Sequence, residues 1–292
     1  MKEVKIFYQT SSLDEIRNYF HNEKKPFIVR NITKSKINLD FLLKKFKNDE
    51  IISYNPNSDK EILSVDNLVK KVKNGERYRL RANTKLGNKI SKHIDTSFVQ
   101  KIKNQKKHIF DYLLSLGKTS RQKTLFLSTK GCTFAKHAHI ISGFILHLDG
   151  NKTWYISNSR ESFFSIKYKS LLNPNPLYVT DKEPKQEISF NLYPGDLLYM
   201  PAYWFHYTIS HNTNISYSYF FTESIKYYLT KSFFMFIYQA ITNPIYSLIK
   251  AVKKEPEEHI YDRDDIIMRC NKIRSKKKRK EALNFFKNND YS

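Results

Sequence analysis

Three histidines in two short stretches are the residues of this chain best suited to bind a metal ion. His137 and His139 lie one residue apart within Gly131 to Lys152 (GCTFAKHAHIISGFILHLDGNK), and His206 ends Tyr193 to His206 (YPGDLLYMPAYWFH). Residues i and i+2 of a β-strand point to the same face, so two imidazoles there can hold one ion from one side. A His-x-His pair alone is common by chance, and the elements around it decide whether it indicates a metal site.

Turns and short strands surround both stretches. Asp149-Gly150-Asn151 is a strong hairpin signal, and Lys152 follows it directly at the start of an aromatic strand. Pro194-Gly195-Asp196 predicts a second turn, followed by an apolar strand at Leu197 to Met200, and Ile215 to Phe221 predicts a further strand. Short strands separated by turn residues are typical of a β-sandwich or barrel.

At this point the sequence resembles the cupin superfamily and, within it, the JmjC-like hydroxylases. Residues 131–139 match the general cupin motif G-x5-H-x-H, and residues 195–206 match the second cupin motif, in a form very similar to that of JmjC-like hydroxylases. Residues 25–30 (KPFIVR) are similar to the strand that opens those domains, so the resemblance spans Lys25 to Phe221. It implies a mainly β fold, a double-stranded β-helix (a cupin or jelly-roll barrel), with flanking helices and C-terminal helices.

The resemblance also implies Fe(II)- and 2-oxoglutarate-dependent oxygenase (hydroxylase) activity. The family holds Fe(II) with a His-x-Asp pair and a distal His. Here His137 matches the first ligand, His206 the last, and His139 stands at the Asp position. The family's 2-oxoglutarate is anchored by a lysine about fifteen residues after the first ligand, where this chain has Lys152. A lysine pairs well with a carboxylate of a dianionic cosubstrate.

Several positions depart from the family pattern. Gly143 and Ser218 stand where relatives often carry Asn, and Phe134 stands where some carry a cosubstrate-binding Thr, with Thr133 adjacent. Thr133 is therefore a candidate cosubstrate residue. Tyr78, in the alternating segment RYRLR, is another, since a tyrosine of some relatives faces the cosubstrate from a strand there.

The His139 substitution leaves a second function open. Non-haem Fe(II) oxygenases usually use two histidines and one carboxylate, and three neutral imidazoles leave more positive charge on the metal and also suit Zn, Ni or Cu. The alternative is a non-catalytic or three-His metal-binding cupin protein that serves as a binding module for an anionic partner. The variant His139→Asp separates the two functions.

Composition constrains the partners and the compartment. The chain of 292 residues has a net charge of +23, which favours an anionic partner, although abundant Lys, Asn and Ile account for it equally well. The basic run Lys272 to Lys280 is the candidate contact for nucleic acid or an acidic membrane surface. Two distant cysteines and the absence of an apolar leader at the start predict a reducing, cytoplasmic location.

The sequence divides into three parts. Residues 1–221 are predicted to form the JmjC-like domain, in which the Lys-rich segment 84–105 is expected to pass over the barrel mouth. Residues 222–252 are apolar and predict helices that pack on the barrel or form a homodimer; no transmembrane span is expected, because the apolar run is short and contains Pro244. Residues 253–292 are a charged tail. The substrate class (protein side chain, RNA base or small metabolite) stays open.

Overall fold

The computed structural model describes residues 3–33, 36–55, 60–103, 123–139, 141–157 and 187–221, together with Glu223, Tyr227 and Leu229. Only the backbone is described at residues 54, 60, 81–84 and 133–137. The α-helices of this part are α1 (Leu13–Asn18), α2 (Leu39–Phe46), α3 (Val65–Lys73), α4 (Thr84–Ile90) and α5 (Ser97–Lys103), with a π-helical turn at Tyr19–Glu23 and a 3-10 turn at Ser91–His93. The strands are β1 (Lys5–Phe7), β2 (Phe27–Val29), β3 (Glu50–Tyr54), β4 (Lys60–Ser64), β5 (Arg79–Asn83), β6 (Lys123–Ser128), β7 (Thr133–His137), β8 (Ser142–Asp149), β9 (Lys152–Ser157), β10 (Ile188–Leu192), β11 (Leu197–Met200), β12 (Phe205–Ser210) and β13 (Asn214–Phe221).

Two sheets face each other. The large sheet has the order β1-β2-β11-β8-β13-β6-β5-β3-β4, and the small sheet has the order β10-β9-β12-β7. Apart from the parallel pair β1–β2, the strand pairs are antiparallel. This is a jelly-roll barrel with flanking helices, and it confirms the predicted cupin fold class.

Strand alternation builds a core on each side of the large sheet. In β8, Ile145 points between the two sheets and packs with Trp154 and Leu198, whereas Phe144 and Leu146 point to the other side. That other side is covered by the helices, whose apolar faces belong to the same cluster as Phe144. The centre of the large sheet is thus buried on both faces, and the space between the sheets is the barrel interior.

The helices lie on the outside of the large sheet, and the first three begin at side-chain caps. Ser12 accepts the Glu15 amide at α1, and Asn38 and Ser64 cap α2 and α3 in the same way.

The expectation for residues 84–105 is corrected. This Lys-rich segment forms α4 and α5, and Leu86, Ile90, Val99 and Ile102 are buried in the core on the helix side of the large sheet. A few apolar residues at helical spacing suffice to bury one face of each short helix, and this outweighs the polar composition. Residues 84–103 are therefore part of the helical layer.

Two glycine turns fix the strands that carry the site. Gly150, with φ +72°, closes the β8–β9 hairpin, and a Cβ there would collide with the Thr213 carbonyl oxygen. Gly195, with φ +94°, forms the turn before β11, where a Cβ would lie 2.5 Å from the Thr33 carbonyl oxygen. The buried Asp196 carboxylate of that turn accepts a bond from the Arg30 guanidinium and the Tyr193 amide, which ties β11 to the end of β2.

Most of the chain after Phe221 lies outside the described residues. The division into 1–221, 222–252 and 253–292 therefore stays a prediction, as do the C-terminal helices and the basic run Lys272–Lys280; Tyr227 and Leu229 are helical. In the described part of the chain, no helix has the length and apolar character needed to cross a bilayer.

Candidate metal centre

The backbone of His137 and the rings of His139 and His206 come together where β7 and β12 pair at one end of the small sheet. His137 is the register partner of His206, and the pairing shifts between His206 and Thr208. Directly opposed residues of antiparallel strands have Cα atoms about 4.5–5.5 Å apart. His139 follows two residues after the end of β7. The His137 side chain is outside the described part, so the centre is measured through His139 and His206.

The imidazole rings of His139 and His206 lie side by side, with centroids 5.3 Å apart. His206 is buried, and its Nδ1 lies 2.9 Å from the Trp204 carbonyl oxygen. A carbonyl can only accept, so Nδ1 carries the proton in neutral His206 and Nε2 carries the lone pair. A backbone carbonyl that orients a ring in this way is the usual support of a metal-binding histidine.

A short loop before β12 connects the two motifs. The Tyr203 amide donates to the His139 carbonyl at 2.7 Å, and the Ala202 amide donates to Ser142 Oγ at 2.9 Å. Tyr203 has φ +62°, a left-handed conformation that is unfavourable for a bulky residue and that surrounding contacts must maintain. The loop therefore fixes the carbonyl that orients His206 and the backbone that carries His139.

Lys152 lies deeper in the barrel on the same face as His206. Lys152 pairs with Ser210 and His206 pairs with Ile156, so the two are four residues apart along the ladder, about 13 Å. Lys152 is 3 % exposed. Burial lowers the pKa of Lys152 to about 8, against a smaller opposing effect from Cys132. Burial disfavours the charged ammonium, and a bound anion would restore it.

A row of buried hydrogen-bonding groups lies between and beside these two residues. Trp154 pairs with Thr208, and both share the interior face with Lys152 and Ser210. Trp154 Nε1, Thr208 Oγ1 and Ser210 Oγ are buried, and none of the three has a hydrogen-bond partner in the described part of the chain. Buried polar groups are normally paired, so this row fits a ligand that accepts hydrogen bonds. The indole ring also packs 5.4 Å from the His206 ring.

Phe220 explains the glycine at position 143. A Cβ at Gly143 would lie 2.9 Å from the Phe220 ring, which is itself 5.5 Å from the His139 ring. Gly143 and Phe220 are register partners in β8 and β13, so they share the interior face. The ring therefore fills the space that a larger side chain at position 143 would need, and it forms an apolar wall beside His139.

The structure corrects the inward orientation expected for Tyr78. Tyr78 belongs to the cluster on the helix side of the large sheet, and its hydroxyl donates to Glu61 Oε2 at 3.0 Å. Its neighbour Arg79 is the register partner of Ser128, and Ser128 is on the interior side. Tyr78 is therefore separated from His206 and Lys152 by the large sheet. Thr133 is the register partner of Ile209, and its side chain lies outside the described part.

His147 is structural. Its Nε2 donates to the Gly150 carbonyl at 2.8 Å, and its Nδ1 then accepts from Ser216 Oγ at 3.0 Å. Burial, assisted by the charge of Lys152, lowers the pKa of His147 to about 4. Both ring nitrogens are hydrogen-bonded and the ring is neutral at pH 7, so His147 stabilises the hairpin turn that precedes Lys152.

Trp154, Thr208 and Ser210 are the site residues that the motifs do not identify. The two-residue period of a β-strand would have identified them, because residues i, i+2 and i+4 share one face. Trp154 is two residues after Lys152, and Thr208 and Ser210 are two and four residues after His206. No group of three His, Cys, Asp or Glu side chains suited to a metal occurs in the described part, to which the His137 side chain does not belong.

Comparison with known proteins agrees with this geometry. A family model described as JmjC domain matches residues 97–228 of the chain, a range that contains His137, His139, Lys152 and His206. No curated protein matches the chain.

Proposed function

Because the chain carries a JmjC domain and belongs with the JmjC-like cupins, we propose that it is an Fe(II)- and 2-oxoglutarate-dependent oxygenase that hydroxylates a substrate. His137, His139 and His206 would hold the metal, and Lys152 would anchor the cosubstrate. The observation that carries the proposal is the shared interior face of His206 and Lys152. Beside them lie buried polar atoms of Trp154, Thr208 and Ser210 that have no hydrogen-bond partner among the described residues.

The ring nitrogens of the histidines are suitable ligands for a metal ion. His206 has its proton on Nδ1, so its Nε2 lone pair points away from the Trp204 carbonyl, and the His139 ring is adjacent. Imidazole nitrogens suit Fe and also Zn, Cu and Ni. Three neutral ligands leave the full charge of a divalent ion uncompensated, which favours binding of an anionic cosubstrate at the same centre.

The buried polar groups on the same face as His206 suit a dicarboxylate. Lys152 supplies the cation, and Trp154, Thr208 and Ser210 supply an indole N–H and two hydroxyls on the same buried face. Charge-assisted hydrogen bonds to a carboxylate are about twice as strong as neutral ones. In a low-dielectric interior they are stronger than in water, so an anion there would satisfy Trp154, Thr208 and Ser210, whose buried polar atoms have no hydrogen-bond partner in the described part of the chain.

Fe(II) with 2-oxoglutarate would supply the activation of O₂ for hydroxylation. The chain's own residues hold, orient and shield those groups. The Trp204 carbonyl orients His206, Lys152 would bind a carboxylate of the cosubstrate, and Trp154 and Phe220 form apolar walls beside the rings of His206 and His139. Such walls restrict water at the reacting centre.

The second candidate is a three-His metal-binding cupin protein that binds an anionic partner without oxygenase chemistry. The observation that favours it is His139 itself, which replaces the carboxylate of the usual iron site. In both candidates the basic run Lys272–Lys280 is proposed to contact nucleic acid or an acidic membrane surface, and residues 222–252 are proposed to form a homodimer contact. The substrate is proposed to be a protein, an RNA or a small molecule.

Uncoupled turnover tests the proposed function without knowledge of the substrate. Purified protein with Fe(II), O₂ and 2-oxoglutarate is expected to form succinate, and the variant His206→Ala is expected to form none. Succinate production by the wild-type protein that His206→Ala leaves unchanged would show that this centre is not responsible. Metal binding with no succinate formation under any condition would favour the second candidate.

A further inference from the structure

The start of the C-terminal segment reaches the loop that orients the metal-binding histidines. Tyr227 is 4 % exposed, and its hydroxyl donates to the Ala202 carbonyl oxygen at 2.7 Å. The Ala202 amide is held on its other side by Ser142 Oγ, and the next amide, of Tyr203, donates to the His139 carbonyl. Tyr227 thus binds the loop one residue before its strained position.

A buried ion pair holds this segment in place. Lys24 Nζ lies 2.8 Å from Glu223 Oε2, and the two side chains are 7 % and 0 % exposed. The Tyr199 hydroxyl donates to Glu223 Oε1 at 2.7 Å, and the Lys24 ammonium lies 4.2 Å from the Phe20 ring centroid. With both carboxylate oxygens bonded, Glu223 is fixed to β11 and to the turn after α1. Displacement of the segment would leave an uncompensated buried charge, which is strongly destabilising, so the ion pair resists such a displacement.

We infer that Tyr227 is a positioning residue of the metal centre. Its hydrogen bond holds the 201–204 loop in the conformation that presents the Trp204 carbonyl to His206 and the Tyr203 amide to His139. The inference rests on the proposed function for its consequence, since the histidines matter only if they bind a metal. According to this inference, the start of the C-terminal segment, which lies outside the two histidine motifs, also helps to position the histidine rings.

The mechanism is the maintenance of an unfavourable backbone conformation. Left-handed φ at a non-glycine residue costs roughly 1–3 kcal/mol and persists only where neighbouring contacts hold it. The Ala202 carbonyl precedes Tyr203 directly, so a hydrogen bond to that carbonyl restrains the peptide that sets the Tyr203 conformation. Loss of the bond removes one of the contacts that hold the loop, beside those to Ser142 and His139.

The test is the variant Tyr227→Phe in the full chain, with Tyr78→Phe as the matched control. Tyr78 is equally buried and also donates one hydroxyl hydrogen bond, but to Glu61 on the helix side of the large sheet. Two quantities are measured: the Kd for Co(II), a visible substitute for Fe(II), and hydrogen exchange at the Tyr203 amide in the metal-free protein. Outer-shell partners of metal ligands typically contribute tenfold or more to affinity.

Tyr227→Phe is expected to raise the Kd for Co(II) about tenfold and to accelerate exchange at the Tyr203 amide, with neither change in Tyr78→Phe. Unchanged exchange at Tyr203 in Tyr227→Phe would overturn the inference, as would equal losses of Co(II) affinity in both variants. Failure of the wild-type protein to bind Co(II) would instead contradict the proposed metal centre, and the exchange comparison would still decide the role of Tyr227.

Discussion

Lys152 and His206 lie on one buried face of the small sheet, and a single inward-facing register pair, Trp154 with Thr208, separates them. The face therefore combines an imidazole nitrogen at one end, the Lys152 side chain at the other, and hydrogen-bonding groups between them. This face suits a small dicarboxylate that also binds a metal ion: one end of such a ligand would lie towards the histidines and the other towards Lys152.

Replacement of Lys152 should change stability and binding in opposite directions. Burial lowers the pKa of Lys152 to about 8, so below that pH the folded protein contains a desolvated charge. Lys152→Met should raise the melting temperature of the ligand-free protein by about 2 °C or more and weaken 2-oxoglutarate binding to Mn(II)-loaded protein at least tenfold. Calorimetric melting and titration measure both, with the exposed Lys92→Met as control. A variant that melts lower and binds normally would contradict the assignment.

Cosubstrate affinity should also depend on pH through Lys152. The folded-state pKa lies below the ordinary value of 10.5, so the ammonium form is lost as pH rises through about 8. Binding of 2-oxoglutarate should therefore weaken between pH 7.5 and 9.5, in a range where the carboxylates of the ligand do not titrate. Titration calorimetry across this range measures it. A flat profile would show that Lys152 does not contact the cosubstrate.

Trp154 should bind the cosubstrate through its indole N–H. Trp154→Phe keeps the ring beside His206 but removes Nε1, which is buried without a partner in the described part of the chain. A hydrogen bond to a charged group contributes about 1.5–3 kcal/mol, so 2-oxoglutarate affinity should fall at least about tenfold. Tryptophan fluorescence reports the same event, because the ligand would change the emission of wild-type Trp154. The adjacent, outward-facing Tyr155→Phe should behave as wild type, and equal affinity in both variants would contradict the assignment.

The buried neutral His147 should make the fold acid-sensitive. Its pKa is about 4 in the folded protein and 6.5 ordinarily, so the unfolded chain binds more protons between these values and stability falls as pH drops through this window. Its contribution to the free energy of unfolding should fall by about 2 kcal/mol from pH 7 to pH 5. Urea denaturation at both pH values measures this loss, and the variant His147→Gln should show a smaller one. An equal loss in both proteins would assign the acid sensitivity to other groups.

The sequence predicts the strands around the three histidines and the Lys152 hairpin because turns and motif spacing are local properties. Gly150 requires positive φ, and the position of Lys152 follows from the hairpin. The orientation of the segment around Tyr78 does not follow, because Tyr78, Arg79 and Leu80 are all nearly fully buried. The alternation in RYRLR puts Tyr78 and Leu80 on one face and Arg79 on the other, but it does not say which of two buried faces is the barrel interior; packing on the helix side of the large sheet decides that.

The role of the C-terminal segment could not be predicted for a different reason. Tyr227 and Glu223 reach the site through contacts with Ala202, Lys24 and Tyr199, and Lys24 is 199 residues from Glu223 in the sequence. Neither segment carries a motif. The same holds for the Phe220 ring and Gly143, which are brought together by strand pairing alone.

His139→Asp separates the two candidate functions. If the centre is an oxygenase with unusual ligands, restoring the carboxylate of the usual iron site should retain or raise 2-oxoglutarate turnover. If the protein only binds a metal ion and an anionic partner, the change should leave succinate formation at zero. The paired control is His211→Asp, since His211 is an exposed histidine in the turn after β12.

The most direct test of the central claim is an anaerobic titration of the purified protein with Fe(II) and then 2-oxoglutarate, followed by visible absorption. The account predicts about one Fe(II) per chain and a charge-transfer band that appears only when both are present and is lost in Lys152→Met. Iron binding without such a band at saturating 2-oxoglutarate would contradict it.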